Sequence, residues 1–465
     1  MLKLLALGHL LVGKTAVALG LRPRPDGWRR IAGVGLRAEH AKFGLTAFGL
    51  IPPREEGAVA ALARFLRTEP DALFRLEHTR WLTSRHRTDA LDVVELVFTP
   101  DGILAGLNPH LDPVRPTPAT AAVEHATAAV IVAYNQTRHL PEATRPMELK
   151  RLAGDNPFAL RLLDAVGVCV EAADPPSRFT PPDTRTRRGL GGSHLTFILR
   201  PSGEAVDVWV TAHHTGIDGM ALQEMLTRLE RAWGAEEARF PTPDEFTDIP
   251  RACHISGERE VYETVSFHDF TELLALRRRL SDEYGQSIPL VTLLLWLFGQ
   301  EPEFRGAKFS STVDVPAVGR SERDVDLIAL RPTEFADLPT YARTFTAAID
   351  ASRVRTGPTR RAMCDTELLP PWLHRKLLET NPKGVAETFG TVGVSVVKGA
   401  KVIVAPLSDV GFPGGFISVG SADLPATDGG RVVAITVKGT REQAATYQAV
   451  LRRALAKLRV PAAVG

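Results

Sequence analysis

The sequence has few cysteines, no strong excess of either charge and no long apolar run. Its 465 residues include only Cys169, Cys253 and Cys364, and three widely spaced cysteines predict neither a disulfide framework nor a thiolate zinc site. The formal net charge is +2, which gives no strong overall field that would favour nucleic acid or an anionic membrane. The longest strongly apolar run, residues 290–298, is far shorter than the roughly 20 residues of a membrane-spanning helix.

The N-terminal segment contains a phosphate-loop pattern that its own chemistry argues against. Residues 8–15 read Gly-His-Leu-Leu-Val-Gly-Lys-Thr and match G-x-x-x-x-G-K-T, but the residues between the glycines are bulky, whereas backbone N–H groups need small residues to wrap a phosphate. We therefore expect an apolar helix. Residues 1–21 are compatible with a poor signal peptide, an amphipathic helix or a buried first element. Because Lys3, His9 and Lys14 interrupt them, we expect a cytoplasmic protein, with membrane contact left open.

The most informative segment is the heptapeptide at residues 213–219, His-His-Thr-Gly-Ile-Asp-Gly. Alternating apolar residues over 206–212 predict a half-buried strand before it. Apolar residues at helical spacing from Leu222 to Trp233 predict a helix after it. The histidine pair thus lies on a strand-to-helix turn, where an imidazole with a resting pKa of about 6.5 can act as a general base. The alternative is that the two histidines have no catalytic role and that Asp218 only caps the following helix.

This segment resembles the active-site motif of the chloramphenicol acetyltransferase-like superfamily, which includes condensation domains, dihydrolipoyl acyltransferase cores, plant-type acyltransferases and wax ester synthases. The resemblance implies that His214 is the catalytic base, that His213 supports it and that Asp218 is mostly structural. Gly219 leaves room for close approach of a substrate arm. The implied fold is α/β (α+β), with two such lobes fused as a pseudo-dimer and mixed sheets flanked by helices.

The order of elements after the heptapeptide supports the resemblance. Residues 270–280 predict a helix, 290–298 an apolar helix, and 309–316 a strand that leads to Gly319 and Arg320. The resemblance implies that Arg320 pairs with Asp218. In the stretch 387–398, which faintly resembles the part of dihydrolipoyl acyltransferases that carries a hydroxyl for the oxyanion, the available hydroxyls are Thr391 and Ser395.

The C-terminal end repeats the pattern of the heptapeptide region at a constant offset of about 225 residues, the difference between 433–444 and 208–219. The apolar helix positions of the first copy map onto apolar or small residues of the second. Those residues are Tyr447, Val450, Leu451, Ala454 and Leu458. Lys438 and Gly439 replace the two histidines, so we expect one catalytic and one degenerate lobe.

The expected organisation is an N-terminal extension at 1–80, a first lobe at 81–245, a linker at 246–262 and a degenerate second lobe at 263–465. The expected activity is transfer of an acyl group from a CoA or carrier-protein thioester to a hydroxyl, amine or thiol, in a channel between the lobes. Acyl-CoA or acyl-phosphopantetheine would be a co-substrate, with no permanently bound cofactor and no metal. We expect a monomer, with an acyl or peptidyl carrier protein as a candidate partner. The alternatives are condensation on carrier-bound substrates and a catalytically inactive scaffold that binds a ligand or partner.

Overall fold

The computed structural model describes most of the chain. The described residues are 2–21, 42–78, 83–88, 93–96, 98–99, 102–103, 108–110, 145–154, 165–171, 177–182, 194–213, 217–236, 251–256, 259–316, 323–354, 380–404, 414–420 and 431–459, with isolated positions between them. They form two compact units. The first unit is Arg37–Ala238 with Gly399–Pro406, and the second unit is Met1–Leu36, Arg239–Lys398 and Leu407–Gly465.

The first unit is built on a seven-stranded mixed sheet. Its strands are β1 (Lys42–Leu50), β4 (Val93–Leu96), β7 (Asn108–His110), β8 (Val166–Val170), β9 (Leu195–Ser202), β10 (Ala205–His213) and β16 (Ile403–Val404). They follow the order β16-β1-β10-β9-β8-β4-β7. Two small ribbons pair β2 (Phe74–His78) with β3 (Thr83–Arg87) and β5 (Phe98–Thr99) with β6 (Gly102–Ile103). The helices are α2 (Ala58–Thr68), α3 (Arg145–Ala153) and α4 (Gly219–Trp233).

Strand β10 is buried on both faces, so the prediction of a half-buried strand is wrong. Of the residues in β10, only Thr211 is partly exposed. One polar residue is buried because it has partners: Asp207 is 1% exposed, accepts a hydrogen bond from the amide of Gly49 at 2.8 Å and pairs with Arg178. A buried carboxylate with these partners avoids most of the cost of desolvation. The side chains of β10 that the alternating pattern placed on a solvent-facing side are therefore buried.

The second unit is built on a sheet with the path β11-β12-β19-β17-β15-β13-β14, with β18 paired to β19 off this path. The strands are β11 (Arg251–Ser256), β12 (Arg259–Asp269), β13 (Phe309–Pro316), β14 (Arg323–Leu330), β15 (Val392–Val397), β17 (Phe416–Gly420), β18 (Leu424–Pro425) and β19 (Arg431–Gly439). The helices are α5 (Thr271–Tyr284), α6 (Leu290–Gly299), α7 (Leu338–Arg353), α8 (Pro382–Phe389) and α9 (Arg441–Arg459). Side chains from α5, α6, α7 and α9 form one apolar core with one face of the sheet. The predicted helices at 270–280 and 290–298 and the predicted strand at 309–316 are confirmed.

Six strands of each sheet share the same topology, and the edge strands β16 and β11 differ in their place along the chain. In the first, β10 pairs antiparallel with β1 and β9, β9 pairs parallel with β8, β8 parallel with β4, and β4 antiparallel with β7. In the second, β19, β12, β17, β15, β13 and β14 repeat these pairings in the same chain order and with the same directions. The repeat therefore extends over six strands of each sheet, and the predicted mixed α/β architecture of two sheets flanked by helices is confirmed.

The unit boundaries differ from the expected ones at three places. Strand β1 lies within the expected extension at 1–80, yet it pairs with β10 over most of its length. Strand β11 and the start of β12 lie within the expected linker at 246–262. Residues 399–406 leave the second half of the chain to supply β16, which pairs with β1. The pairings of β1 with β10 and of β16 with β1 join segments distant in sequence, which local periodicity does not register. The pairing of β11 with β12 is a local hairpin.

Helix α1 (Leu2–Ala18) runs through the whole phosphate-loop pattern, so that pattern forms no loop here, as its bulky residues predict. One side of α1 packs on residues 368–377 of the second unit through Ala6, Leu369 and Leu373. Gly13 allows the close approach, because a Cβ added there would lie 2.9 Å from the Cβ of Leu368. Within the described residues, no helix is both long enough and apolar enough to cross a membrane.

Candidate active site

The heptapeptide lies between β10 and α4, and the described residues at its two ends are fixed. His213 is the last residue of β10 and is 2% exposed. Its amide donates to the carbonyl of His194 at 2.8 Å, and its carbonyl accepts from the amide of Ile217 at 3.2 Å. Ile217 is 4% exposed. His213 and Ile217 are thus both packed in the core, and backbone hydrogen bonds hold each of them.

Asp218 caps α4. Its Oδ1 accepts from the amides of Met220 and Ala221, each at 2.9 Å, and its backbone is extended, as an N-cap requires. Gly219 is the first helical residue. Among the described residues the carboxylate therefore serves the helix, and the role of Asp218 in the site stays a prediction.

An ion-pair cluster lies beside the turn in the same unit. Arg228 of α4 contacts Glu69 at 2.7 Å and Asp71 at 3.3 Å, and its hydrogen bond with Glu69 raises the pKa of the guanidinium. The carbonyl of Asp71 lies 3.3 Å from Nε2 of His194, a side chain that is 1% exposed. Since the carbonyl of His194 holds the amide of His213, one chain of polar contacts runs from α4 to the end of β10.

Two of the predicted site residues lie outside the described residues. His214 falls between His213 and Ile217, both of which are described, and Arg320 falls between β13 and β14. The base role of His214 and the pairing of Arg320 with Asp218 stay predictions. In the described part of the chain, no cluster of three or more His, Cys, Asp or Glu side chains could hold a metal ion.

The second copy of the motif has an ion pair in place of a histidine. Lys438 lies near the end of β19, as His213 ends β10. Its Nζ is 3.8 Å from Oε1 of Glu263 on the neighbouring strand β12, and the two side chains are 12% and 3% exposed. The helix that follows buries Tyr447, Val450 and Leu451. The second copy therefore keeps the packing of the first and lacks its imidazoles.

The two candidate oxyanion hydroxyls have different surroundings. The hydroxyl of Thr391 is engaged with the backbone of Lys308, accepting from its amide at 3.1 Å and donating to its carbonyl at 3.2 Å. It therefore ties β15 to the start of β13. Ser395 lies inside β15 and accepts from the hydroxyl of Thr312 at 3.3 Å. Of the two, Ser395 is better placed to offer a hydrogen to a bound oxygen.

Two further hydroxyls, which the sequence reasoning missed, lie in the same row as Ser395. Ser395 pairs with Ser418 on β17, and Ser418 pairs with Thr436 on β19. Directly paired residues project from the same side of a sheet, and this side is opposite the helices, because Ile417 and Val419 pack into the apolar core. Ser418 and Thr436 are 1% and 2% exposed, and within the described residues their hydroxyls have no hydrogen-bond partner.

A buried hydroxyl without a partner costs about 1–3 kcal/mol. Each of Ser418 and Thr436 can therefore gain a hydrogen bond from a water or from an oxygen of a ligand. Their signal in the sequence is a small polar residue with an apolar residue on each side, Ile417 and Val419 around Ser418 and Ile435 and Val437 around Thr436.

A buried histidine on the opposite face of the second sheet has a different character. His268 is 4% exposed, and its Nε2 lies 2.7 Å from the hydroxyl of Ser266. Burial, with the nearby charge of Arg452, lowers the pKa of His268 to about 3. This imidazole is therefore neutral near pH 7, and its strand partner is Val433 in the helix-side core, so it is a packing residue.

Comparison with known proteins gives structural likeness only. No protein-family model matches the chain, and no curated protein sequence does. The solved structures similar to it include the wax ester synthase/diacylglycerol acyltransferase from Marinobacter aquaeolei VT8, at 14% identity and a TM-score of 0.39, covering 91% of this chain and 95% of that one.

Two other similar structures belong to related classes. TRI101 of F. graminearum, complexed with coenzyme A and deoxynivalenol, is 11% identical with a TM-score of 0.42, over 90% of this chain and 95% of that one. A condensation domain for chain release from the enacyloxin polyketide synthase is 11% identical with a TM-score of 0.41, over 96% and 84%. At these values the likeness establishes neither an activity nor a substrate for this chain.

Proposed function

We propose that this protein is an acyltransferase that moves an acyl group from a thioester to a hydroxyl, amine or thiol, with His214 as the general base. The observation that carries the proposal is that the described residues on either side of His214 are held in place. The residues on both sides of His214 are tied, at His213 by backbone hydrogen bonds to His194 and Ile217, and at Asp218 by the cap of α4. Such a mount supports a catalytic side chain held within a narrow range of positions.

The proposed reaction is a direct transfer that needs no acyl-enzyme. The neutral imidazole of His214 takes the proton of the acceptor as the acceptor oxygen, nitrogen or sulfur attacks the thioester carbonyl. The tetrahedral intermediate collapses by breaking the C–S bond. The imidazolium returns its proton to the departing thiolate, so the products are the acylated acceptor and a free thiol. Base catalysis of this kind contributes roughly 10²–10⁴-fold to a rate.

Other residues have supporting roles in this proposal. His213 and Asp218 hold the turn, and Gly219 starts α4 without a side chain beside the base. Ser395 is our candidate to donate to the oxyanion, with a worth of about 3–4 kcal/mol for a well-placed donor. Thr391 is the weaker candidate, since its hydroxyl already bonds the backbone of Lys308.

Acyl-CoA or an acyl-phosphopantetheine carrier is the proposed donor, as the resemblance of the heptapeptide implies. A channel between the two lobes, a monomeric state and a cytoplasmic location stay predictions of the same origin. The Asp218–Arg320 pair belongs with them. None of these enters the core of the proposal, which is the base role of His214 in thioester cleavage.

The test is release of free thiol by the full chain from a panel of acyl-CoAs of increasing chain length, each offered with alcohol, amine and thiol acceptors. We expect turnover with at least one pair, and a fall in kcat of about 100-fold or more in His214→Ala. Full activity of His214→Ala would refute the mechanism. The matched control is His9→Ala, which removes a partly exposed histidine of α1 and should keep wild-type kcat.

Two further measurements on the same full chain separate the alternatives. Turnover only when the acyl group is carried on a phosphopantetheinylated carrier protein would identify a condensation-type enzyme. Binding of acyl-CoA, measured by calorimetry, with no turnover for any acceptor would identify a scaffold without catalysis. Circular dichroism of each variant checks that a loss of activity is not a loss of fold.

A further inference from the structure

The outer side of helix α1 is an exposed apolar surface. Ten large hydrophobic side chains are exposed in the described residues, and seven of them lie within residues 4–21. These seven are Leu4, Leu5, Leu7, Leu11, Val12, Leu19 and Leu21. Leu4, Leu11 and Val12 are 74%, 68% and 70% exposed. A concentration of this kind on one short segment marks an interaction surface, whereas single exposed leucines are ordinary.

The helix is apolar on both sides, and only its inner side has a partner in the described residues. On the inner side, Ala6 and Gly13 are buried, and Leu2 and Leu10 pack on the same cluster as Leu369 and Leu373. A helix that is apolar all round is normally covered all round. Its inner side is packed on the second unit, and its outer side stays exposed among the described residues.

The charges along this segment are positive. Lys3 is exposed, and the side chain of Lys14 is 56% exposed while paired with Asp365 at 2.9 Å. The first acidic residue of the chain is Asp26, and Arg22 and Arg24 precede it in the sequence. Asp365 balances the charge of Lys14, so the basic residue that borders the exposed apolar face is Lys3. An apolar helix face with a basic border suits the boundary between lipid headgroups and acyl chains of an anionic membrane.

We propose that the outer face of α1, defined by Leu4, Leu7, Leu11 and Val12 and bordered by Lys3, binds the surface of an anionic lipid bilayer. The helix lies along the surface, because its inner side stays packed on the protein, and its 17 residues give about 26 Å of contact length. A second copy of the chain suits this face less well. In a twofold dimer the same patch meets itself, so the basic residues of both copies would share one interface.

Vesicle flotation with the full chain tests the proposal. The probes are vesicles of phosphatidylcholine alone and of phosphatidylcholine with about 30 mol% phosphatidylglycerol, an anionic fraction that gives the charged surface the argument requires. We expect the protein to float with the anionic vesicles and much less with the neutral ones. In Leu7→Ser/Leu11→Ser the bound fraction should fall at least tenfold, and Lys3→Glu and raised salt should each weaken binding.

The matched control is Val170→Ser/Val354→Ser, which replaces two exposed valines, one on each unit, and should bind as the wild type does. The substituted side chains are exposed in both double variants, so both should fold, and circular dichroism checks this. Equal binding by wild type and Leu7→Ser/Leu11→Ser, equal binding to both vesicle types, or no binding would overturn the proposal. Concentration-dependent dimers that disappear in Leu7→Ser/Leu11→Ser would overturn it in favour of a second copy. None of these results depends on acyl transfer.

Discussion

Asp218→Ala tests whether the heptapeptide aspartate acts through its helix cap. The carboxylate accepts two amide hydrogen bonds at 2.9 Å at the start of α4. Loss of an aspartate cap costs about 1 kcal/mol and up to about 2. A domain of about 150–250 residues loses roughly 2–4 °C in Tm for each kcal/mol, and the first unit spans residues 37–238 and 399–406. We therefore expect Asp218→Ala to lower Tm by about 2–8 °C.

The same substitution should reduce catalysis, because the cap fixes one end of the turn that carries His214. Misplacement of a catalytic group by about 1 Å costs on the order of 100-fold, so we expect kcat for thiol release to fall by about 10- to 100-fold. Asp218→Asn should keep both stability and activity near wild type, since asparagine caps a helix as well as aspartate does. Calorimetry and the thiol-release assay measure the two effects.

A cap in the second unit supplies the control. Asp337 is the N-cap of α7 and accepts from the amide of Thr340 at 2.7 Å. Asp337→Ala should therefore lose a comparable free energy of unfolding while keeping kcat. An unchanged Tm in Asp218→Ala would contradict the cap argument. An Asp218→Asn variant as inactive as Asp218→Ala would show that the charge matters, which the predicted pair with Arg320 would explain.

Two further predictions concern stability. Burial lowers the pKa of His268 to about 3, so between about pH 6.5 and pH 3 the unfolded chain binds a proton at this residue and the folded chain does not. The free energy of unfolding therefore falls as the pH falls through this range, by about 1.4 kcal/mol per pH unit. Urea unfolding at pH 7 and pH 5 should show that His268→Gln loses less free energy of unfolding between the two pH values than the wild type does. An identical loss in the two proteins would contradict this. Gly390 has a φ of 94°, and an added Cβ would lie 2.9 Å from the carbonyl oxygen of Lys308, so Gly390→Ala should cost more than about 2 kcal/mol. Gly285 has a φ of 61° and open space around it, so Gly285→Ala should cost only the left-handed backbone conformation, about 1–2 kcal/mol. If both variants lose the same free energy of unfolding, the contact with Lys308 is not the cause.

The sequence predicted the local structure around the heptapeptide well. The strand and the helix, with Leu222, Met225, Leu226 and Leu229 inward, are both present. These features follow from residues close in sequence, whose periodicity and turn chemistry carry enough information. The repeat at 433–444 was visible for the same reason.

The pairings between distant segments were not predictable in this way. Strand β1 is far from β10 in sequence, and nothing in residues 42–50 marks it as the neighbour of the motif strand. The row of hydroxyls at Ser395, Ser418 and Thr436 depends on the register of three strands, and a shift of one residue would turn each side chain to the other face. Only the structure shows that these hydroxyls share a face.

Strand β16 has a consequence for the order in which the chain is made. The sheet of the first unit is open along β1 until residues 403–404 arrive to pair with Gly44 and Leu45. During synthesis, the unit that carries the heptapeptide therefore presents an unpaired strand edge until most of the second unit has emerged. Such edges invite pairing with other chains. A fragment ending near residue 238 would keep every residue of the heptapeptide and still leave its sheet unfinished.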